Sequence, residues 1–143
     1  MKSLLLENLS GRIFHSISSK LTKRLEKDGK KFGLTTSNQF GILLILSETP
    51  MSQKEIANKS FSDEPTTTRT LDRMIKNGLV IKNRSVEDKR KQVVQLTEKG
   101  NELLEKIFPI VLEINREIRE LFNEKEFEQF MKMMHKIDLN FEV

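Results

Sequence analysis

The chain has 143 residues, of which 36% are hydrophobic and 32% are charged; this is typical of one helix-rich globular domain with helical extensions. It contains no cysteine, which excludes disulfides, thiolate metal sites and cysteine-based redox switches. No apolar run approaches the roughly 20 residues of a membrane helix, and no signal-peptide pattern is present. We therefore expect a cytoplasmic protein with no membrane partner.

Positive charge is concentrated in the middle of the chain. Residues 51–97 hold ten Lys/Arg and six Asp/Glu, a net charge of +4, whereas the +4 of residues 1–50 is cancelled by the −4 of residues 98–143. A basic middle segment is what neutralisation of nucleic-acid phosphates requires. A net charge of this size is also ordinary, so by itself it decides little.

Helical patterns occupy the first part of the chain. Apolar residues spaced four apart predict a helix over residues 7–30. A second helix is predicted over residues 37–48, and because it is apolar nearly all round, we expect it to form the buried centre of the domain. Thr36 and Gln39 have the spacing of a capping box at its start.

Two shorter helices follow. Ser52 and Glu55 also have the spacing of a capping box, which predicts a third helix that ends near residue 59. A fourth helix is expected to begin near residues 63–65 and to end at Asn77–Gly78 in a left-handed cap. Two short helices in this order are typical of a helix-turn-helix, whose second helix enters the major groove of DNA.

The remaining chain predicts a β-hairpin and two more helices. Residues 79–81 and 92–96 are β-type runs around a polar tip. Thr97 caps a long helix, and Asn123 with Glu126 predicts a capping box for the last one. The expected fold is mainly α with a small β-hairpin wing: a winged helix-turn-helix flanked by N- and C-terminal dimerisation helices.

The dimerisation helices are inferred from apolar residues that one copy would struggle to cover. On the long helix these residues are Leu103, Leu104, Ile107, Phe108, Ile110, Val111, Ile114, Ile118 and Leu121. Because large exposed apolar patches are unfavourable, we expect a two-fold homodimer that buries them. We therefore interpret residues 1–34 as an N-terminal dimerisation helix, 35–98 as the winged helix-turn-helix DNA-binding domain and 99–143 as C-terminal dimerisation helices.

The fourth helix carries the candidate base-reading side chains. If Leu71, Met74 and Ile75 face inward, the opposite side of the helix faces solvent. The outward candidates are Thr66, Arg69, Thr70 and Arg73, with Pro65 and Thr67 at the margin. Arginine can donate two hydrogen bonds to guanine, and threonine can contact a base edge or a thymine methyl. A solvated helix face would look similar, but threonine is a mediocre helix former, which favours a functional role.

The tip of the hairpin carries a second set of candidates. Arg84, Lys89 and Arg90 could follow the DNA backbone or enter the narrow minor groove, where negative potential is concentrated. Asp88 would be repelled by phosphate unless it holds an arginine through a charge-assisted hydrogen bond. The alternative interpretation is an ordinary charged hairpin tip.

Residues 34–100 resemble the MarR/SlyA family of bacterial transcription regulators. The resemblance rests on the helix pair, on the stretch TRTLDRMIKNGLVIKNRS and on EDKRKQVVQLTEKG, which contains the triplet Asp88-Lys89-Arg90. It implies a homodimer with interlocking terminal helices that reads a pseudo-palindromic operator in double-stranded DNA, commonly as a repressor. It also implies that Arg90 reaches the minor groove with support from Asp88, and that a small aromatic or phenolic effector can release the DNA.

We therefore expect a dimeric, sequence-specific DNA-binding transcription regulator without catalytic residues, metal or cofactor. The alternative is a winged-helix protein–protein adaptor that does not engage DNA, which the basic middle segment disfavours. An enzyme is a third possibility, but the sequence contains no nucleophile–base pair, phosphate loop or metal-ligand spacing that would support it.

Overall fold

The computed structural model describes residues 2–60 and 62–142, with side chains from residue 5 onward. Within this part of the chain, the structure consists of helices and one two-stranded antiparallel sheet. The elements are α1 Lys2–Glu7, α2 Ser10–Gly29, a 3-10 turn Lys30–Phe32, α3 Ser37–Leu46, α4 Gln53–Ser60, α5 Glu64–Lys76, β1 Val80–Arg84, β2 Gln92–Leu96, α6 Glu98–Arg119 and α7 Glu124–Asn140. This confirms the expected mainly α fold with a β-hairpin wing. The helix predicted over residues 7–30 instead begins at Ser10, after a separate α1.

The chain divides into two compact units, Met1–Ile110 and Val111–Val143. The first unit contains α1 to α5, the hairpin and the first part of α6, and the second contains the rest of α6 and α7. The division follows Pro109, which lies inside α6. None of the helices in the described part of the chain is long and apolar enough to cross a bilayer.

Helix α3 supplies much of the core of the first unit. Ile42 and Leu43 are fully buried, as the apolar pattern predicts, but Leu44 is 41% exposed. The expectation of burial all round is therefore wrong for one side of α3. Other fully buried apolar side chains among the described residues of this unit are Ile56, Leu71, Met74, Val80, Val94 and Ile107.

Two of the nine apolar residues predicted to need cover on the long helix are already covered within one copy. Leu103 is 6% exposed and Ile107 is fully buried in the first unit. The apolar surface that α6 leaves open is therefore smaller than the sequence suggested, although Phe108 and Leu112 remain exposed.

The predicted side-chain caps at the starts of α3 and α4 are confirmed, with one difference. Ser52 and Glu55 form a complete capping box, with N···O distances of 3.2 and 2.7 Å, and the donated Ser52 backbone N–H lowers the pKa of the Glu55 carboxyl. At α3, the Thr36 hydroxyl accepts from the Gln39 backbone N–H at 3.2 Å. The Gln39 side chain, however, accepts from the Thr35 backbone N–H at 3.0 Å. A complete capping box would need the Gln39 side chain to accept from the Thr36 backbone N–H. That part of the prediction is wrong, because the buried Gln39 amide oxygen accepts from Thr35 instead.

The second unit is organised around the start of α7. Asn123 and Glu126 form the predicted capping box, with both N···O distances at 2.9 Å. The rings of Phe122 and Phe130 stack with centroids 5.1 Å apart, and Phe127 lies 6.3 Å from Phe122. This aromatic cluster fixes the turn that precedes α7.

The hairpin is joined to the helix pair by a short backbone bridge. Its register runs from Val80 opposite Leu96 to Arg84 opposite Gln92. On the other side of β2, the backbones of Met51 and Val94 exchange two hydrogen bonds of 3.1 and 2.7 Å. This single-residue bridge attaches the two-stranded hairpin, which would be only marginally stable by itself, to the segment just before α4.

Helix α6 starts directly against the chain reversal between α5 and β1. Gly78 adopts a positive φ of 73° there, as predicted for the end of α5. The Thr97 hydroxyl donates to the Gly78 carbonyl at 2.6 Å, and the Thr97 backbone N–H donates to the Leu79 carbonyl at 3.1 Å. A Cβ at Gly100 would lie 2.1 Å from that same Leu79 oxygen, so only glycine allows this approach.

Replacing Gly100 by alanine should therefore lower the free energy of unfolding by about 2 kcal/mol or more, because backbone must shift to admit the methyl group. Gly41→Ala is the matched control: Gly41 lies inside α3 and a Cβ there meets nothing within 4 Å. That change should raise the free energy of unfolding by about 1 kcal/mol. Urea unfolding at one protein concentration measures both values, and equal effects of the two substitutions would contradict the close approach.

Candidate nucleic-acid interface

Asp63 and Pro65 define the start of α5. The Asp63 carboxylate accepts the backbone N–H of Thr66 at 2.7 Å and the Thr66 hydroxyl at 2.9 Å. These two hydrogen bonds, the backbone one first, lower the pKa of Asp63. Pro65 lies in the first turn, where its missing N–H costs nothing. Helix α5 therefore has a sharply defined beginning.

The buried face of α5 includes one residue that the sequence interpretation placed outside. Leu71 and Met74 are buried as expected, but Thr67 is also fully buried. Its expected position at the margin of the outward face is wrong. Thr67 precedes Leu71 by four residues and Met74 by seven, so helical geometry puts it on their stripe. Within the described residues, its hydroxyl has no hydrogen-bond partner.

Two further threonines connect α5 to neighbouring helices. The Gln53 amide of α4 donates to the Thr68 hydroxyl at 2.7 Å, and the Asn38 amide of α3 donates to the Thr70 hydroxyl at 3.1 Å. The threonine content that favoured DNA reading thus has a structural explanation. Asn38 and Gln53 were missed because nothing local in the sequence pairs residues 32 and 15 positions apart.

The outward face of α5 is lined by basic residues. Arg69 and Arg73 are exposed and lie one turn apart, with Pro65 a further turn towards the helix start. Arg69 donates to the half-buried Thr66 hydroxyl at 3.3 Å. The exposed face also includes Asp72 and Lys76, which the sequence interpretation omitted.

The wing holds its arginines by local hydrogen bonds. The Asp88 carboxylate accepts from the Arg90 backbone N–H at 3.0 Å and from Arg90 Nε at 3.3 Å, which is the kind of contact that the sequence predicted. Arg84 donates to the Lys89 carbonyl at 3.0 Å. The Arg90 side chain is 92% exposed, so its pairing with Asp88 directs the guanidinium outward more than it stabilises the fold.

The helix pair and wing match known proteins. Residues 35–92 match the model of the MarR family. The uncharacterised HTH-type transcriptional regulator YwoH of Bacillus subtilis is 32% identical over 110 residues, which cover 77% of this chain and 80% of that protein. The chain belongs to the MarR family. It is accordingly a transcriptional regulator and not an enzyme, as its sequence predicted.

Other relatives of this MarR-family chain agree with that membership. The uncharacterised regulator YkoM of Bacillus subtilis is 28% identical over 69% of this chain, a match that covers 64% of YkoM. The transcriptional repressor CouR, whose structure is bound to a 23-mer DNA duplex, has 25% identity and a TM-score of 0.80. That similarity covers 93% of this chain and 94% of the CouR chain.

Removing the buried hydroxyl of Thr67 should stabilise this MarR-family protein. Thr67→Val replaces an unpartnered polar group by a methyl of similar shape, so we expect the free energy of unfolding to rise by about 1 kcal/mol. Thr67→Ser keeps the hydroxyl and loses a methyl, which should lower the value by about 1 kcal/mol. Urea unfolding distinguishes the two variants, and a valine variant less stable than wild type would show that the hydroxyl has a partner.

The Asp63 cap should make stability depend on pH in the acid range. Because the pKa of Asp63 is lowered in the folded protein, its ionised form stabilises the fold above about pH 4 and loses this effect as the pH falls further. Asp63→Asn can still cap but cannot titrate. The variant should therefore be less stable than wild type near neutral pH, and the difference should shrink towards about pH 3.

Thermal unfolding across this pH range measures the difference. Glu55 titrates in both proteins, so its contribution cancels. Asp63→Ala, which removes the cap itself, should remain less stable than wild type throughout. A constant difference between wild type and Asp63→Asn would contradict the titration of Asp63.

Proposed function

We propose that this MarR-family chain is a dimeric, sequence-specific DNA-binding repressor that acts in the cytoplasm. Helix α5 enters the major groove of a pseudo-palindromic operator, and the wing reaches the adjacent minor groove. The observation that carries the proposal is the two-sided character of α5. Its inner stripe is buried in the domain, whereas Arg69 and Arg73 project outward from the opposite side.

The roles of the outward residues follow from their chemistry. Arg69 and Arg73 carry the donors that grip guanine, and Pro65 and Thr66 form the end of α5 that enters the groove first. Arg90, directed by Asp88, inserts into the minor groove, where negative potential is concentrated. Arg84 and Lys89 neutralise phosphates beside it.

A two-fold homodimer supports this mode of reading. Helices α1 and α2 leave an apolar stripe exposed, whose members are Leu5, Leu6, Leu9, Ile13, Phe14 and Ile17. Within the second unit, Leu121, Met133, Leu139 and Phe141 are more than half exposed. Residues 1–34 and 99–143 are therefore proposed as the dimerisation segments around the DNA-binding domain 35–98. A second copy places two α5 helices about one DNA turn apart, roughly 34–36 Å.

The family resemblance also implies a route of regulation. We propose that a small phenolic or aromatic effector binds near the dimerisation helices and lowers the affinity for the operator. A pocket in this chain would use Phe, Met, His and aliphatic side chains, since the sequence has no Tyr or Trp. Titration of a panel of phenols into the protein–operator complex tests this: loss of DNA binding supports it, and unchanged affinity for every member contradicts it.

Binding to an operator selected by the wild-type protein from a random duplex library tests DNA recognition. Arg69→Ala should weaken operator binding by about 1–3 kcal/mol and relax the preference at one base pair. Lys89→Ala should weaken binding to all DNA sequences alike. It should also reduce the slope of log affinity against log salt concentration by about one. Fluorescence anisotropy at several salt concentrations, with a scrambled duplex as control, measures both effects.

Two results would contradict this function. Wild-type affinity for DNA that does not change between low and moderate salt would exclude binding through phosphates. Failure to bind any duplex, together with tight binding of a protein partner, would favour the winged-helix adaptor.

A further inference from the structure

Helix α5 is held by a polar contact on each side of its buried stripe. Successive residues of an α-helix are about 100° apart around the axis. Thr68 and Thr70 therefore lie on opposite flanks of the stripe formed by Thr67, Leu71 and Met74. Each flank is bonded to a different helix, Thr68 to α4 and Thr70 to α3.

The backbone of α5 determines which partner is the donor in each of these hydrogen bonds. The Thr68 hydroxyl donates its proton to the Glu64 carbonyl at 2.9 Å. The Thr70 hydroxyl donates to the Thr66 carbonyl, also at 2.9 Å. Each oxygen then has only lone pairs left to offer, so the partner side chain must be the donor. An amide NH2 meets that requirement without adding charge.

Both amides belong to helix starts that are themselves fixed. Gln53 is the first residue of α4, directly after the Ser52 cap. Asn38 lies in the first turn of α3 and also accepts a hydrogen bond from the Ser62 hydroxyl at 3.2 Å. The Asn38 amide thus connects α3, the segment before α5 and α5 itself.

These hydrogen bonds restrict the rotation of α5 about its axis more than the packing of its buried stripe does. The hydrophobic effect is non-directional, whereas hydrogen bonds weaken steeply outside a narrow range of distance and angle. A rotation of α5 by about 15° would move its outer side chains by roughly 1.5 Å. That shift is enough to spoil a two-donor contact between arginine and guanine.

We propose that the amides of Gln53 and Asn38 are positioning groups that fix the rotation of α5 about its axis. Through that rotation they determine the base preference of the protein without contacting a base. This inference rests on the proposed function, because it assumes that the outward face of α5 reads DNA. It also assigns Thr70, which the sequence placed among the base-reading residues, to the framework that orients them.

A double-mutant cycle tests the contact between α4 and α5. Gln53→Met keeps the length of the side chain and removes the donor, and Thr68→Val keeps the shape and removes the hydroxyl. Each single substitution should lower the ratio of affinities for the selected operator over the scrambled duplex about tenfold. The double variant should lower the ratio no further, because both changes remove one interaction. Affinity for the scrambled duplex should not change, since phosphate contacts carry it.

The contact between α3 and α5 gives a second, independent cycle. Asn38→Ala and Thr70→Val should reduce the same ratio, again without adding to each other. As a control for the first cycle, Thr68→Ser retains the hydroxyl that accepts from Gln53 and should therefore keep the wild-type ratio. Thr49→Val, on the exposed connection between α3 and α4, is the matched threonine control and should leave the ratio unchanged.

The outcomes separate this inference from the proposed function. Additive losses in both cycles would overturn it, because they would mean that the amides act independently, for example by their own DNA contacts. Lower melting temperatures with an unchanged affinity ratio would also overturn it, since the contacts would then only stabilise the fold. If the wild-type protein binds no duplex, the proposed function fails and this inference fails with it.

Discussion

The rest of the first unit depends on the close contact between the backbone at Leu79 and the first turn of α6. The Leu79 carbonyl accepts a hydrogen bond from Thr97 and faces Gly100 at a distance that no side chain permits. At this point α5 ends, β1 begins and α6 starts. The proposed recognition helix, the wing and the long helix are therefore oriented by one small area of backbone packing. The Lys99 ammonium reinforces it by donating to the Asn77 carbonyl at 2.7 Å.

Helix α5 combines apolar packing with polar orientation. Its buried stripe packs into the core of the domain, while side-chain amides of α3 and α4 donate hydrogen bonds to the threonines on either side of that stripe. This division explains why a helix rich in threonine is stable in this setting. Threonine is a poor helix former, but its hydroxyl can bond the preceding turn and still accept from another helix. Thr67 is the exception, because its buried hydroxyl lacks a partner among the described residues.

The wing is also held at its base by contacts with the helix pair and oriented at its tip by a polar contact. A two-stranded hairpin is marginally stable by itself, and the backbone bridge between Met51 and Val94 links it to the helix pair. Asp88 then directs Arg90 outward. The hairpin is thereby fixed at its base, and its tip presents exposed positive charge.

The sequence by itself determined the helix caps apart from the Gln39 side-chain contact, and it also determined the hairpin, the Asp88 contact and the family. These features depend on residues a few positions apart or on a continuous motif. Even Thr67 could have been placed correctly, since its spacing from Leu71 and Met74 puts it on the buried stripe. The tertiary structure alone decided the pairing of Asn38 with Thr70 and of Gln53 with Thr68, and the approach of Gly100 to Leu79. These contacts join separate elements, and their geometry depends on how the helices pack. Helical periodicity predicts which face a residue occupies, but it does not predict which side chain of another helix will meet it.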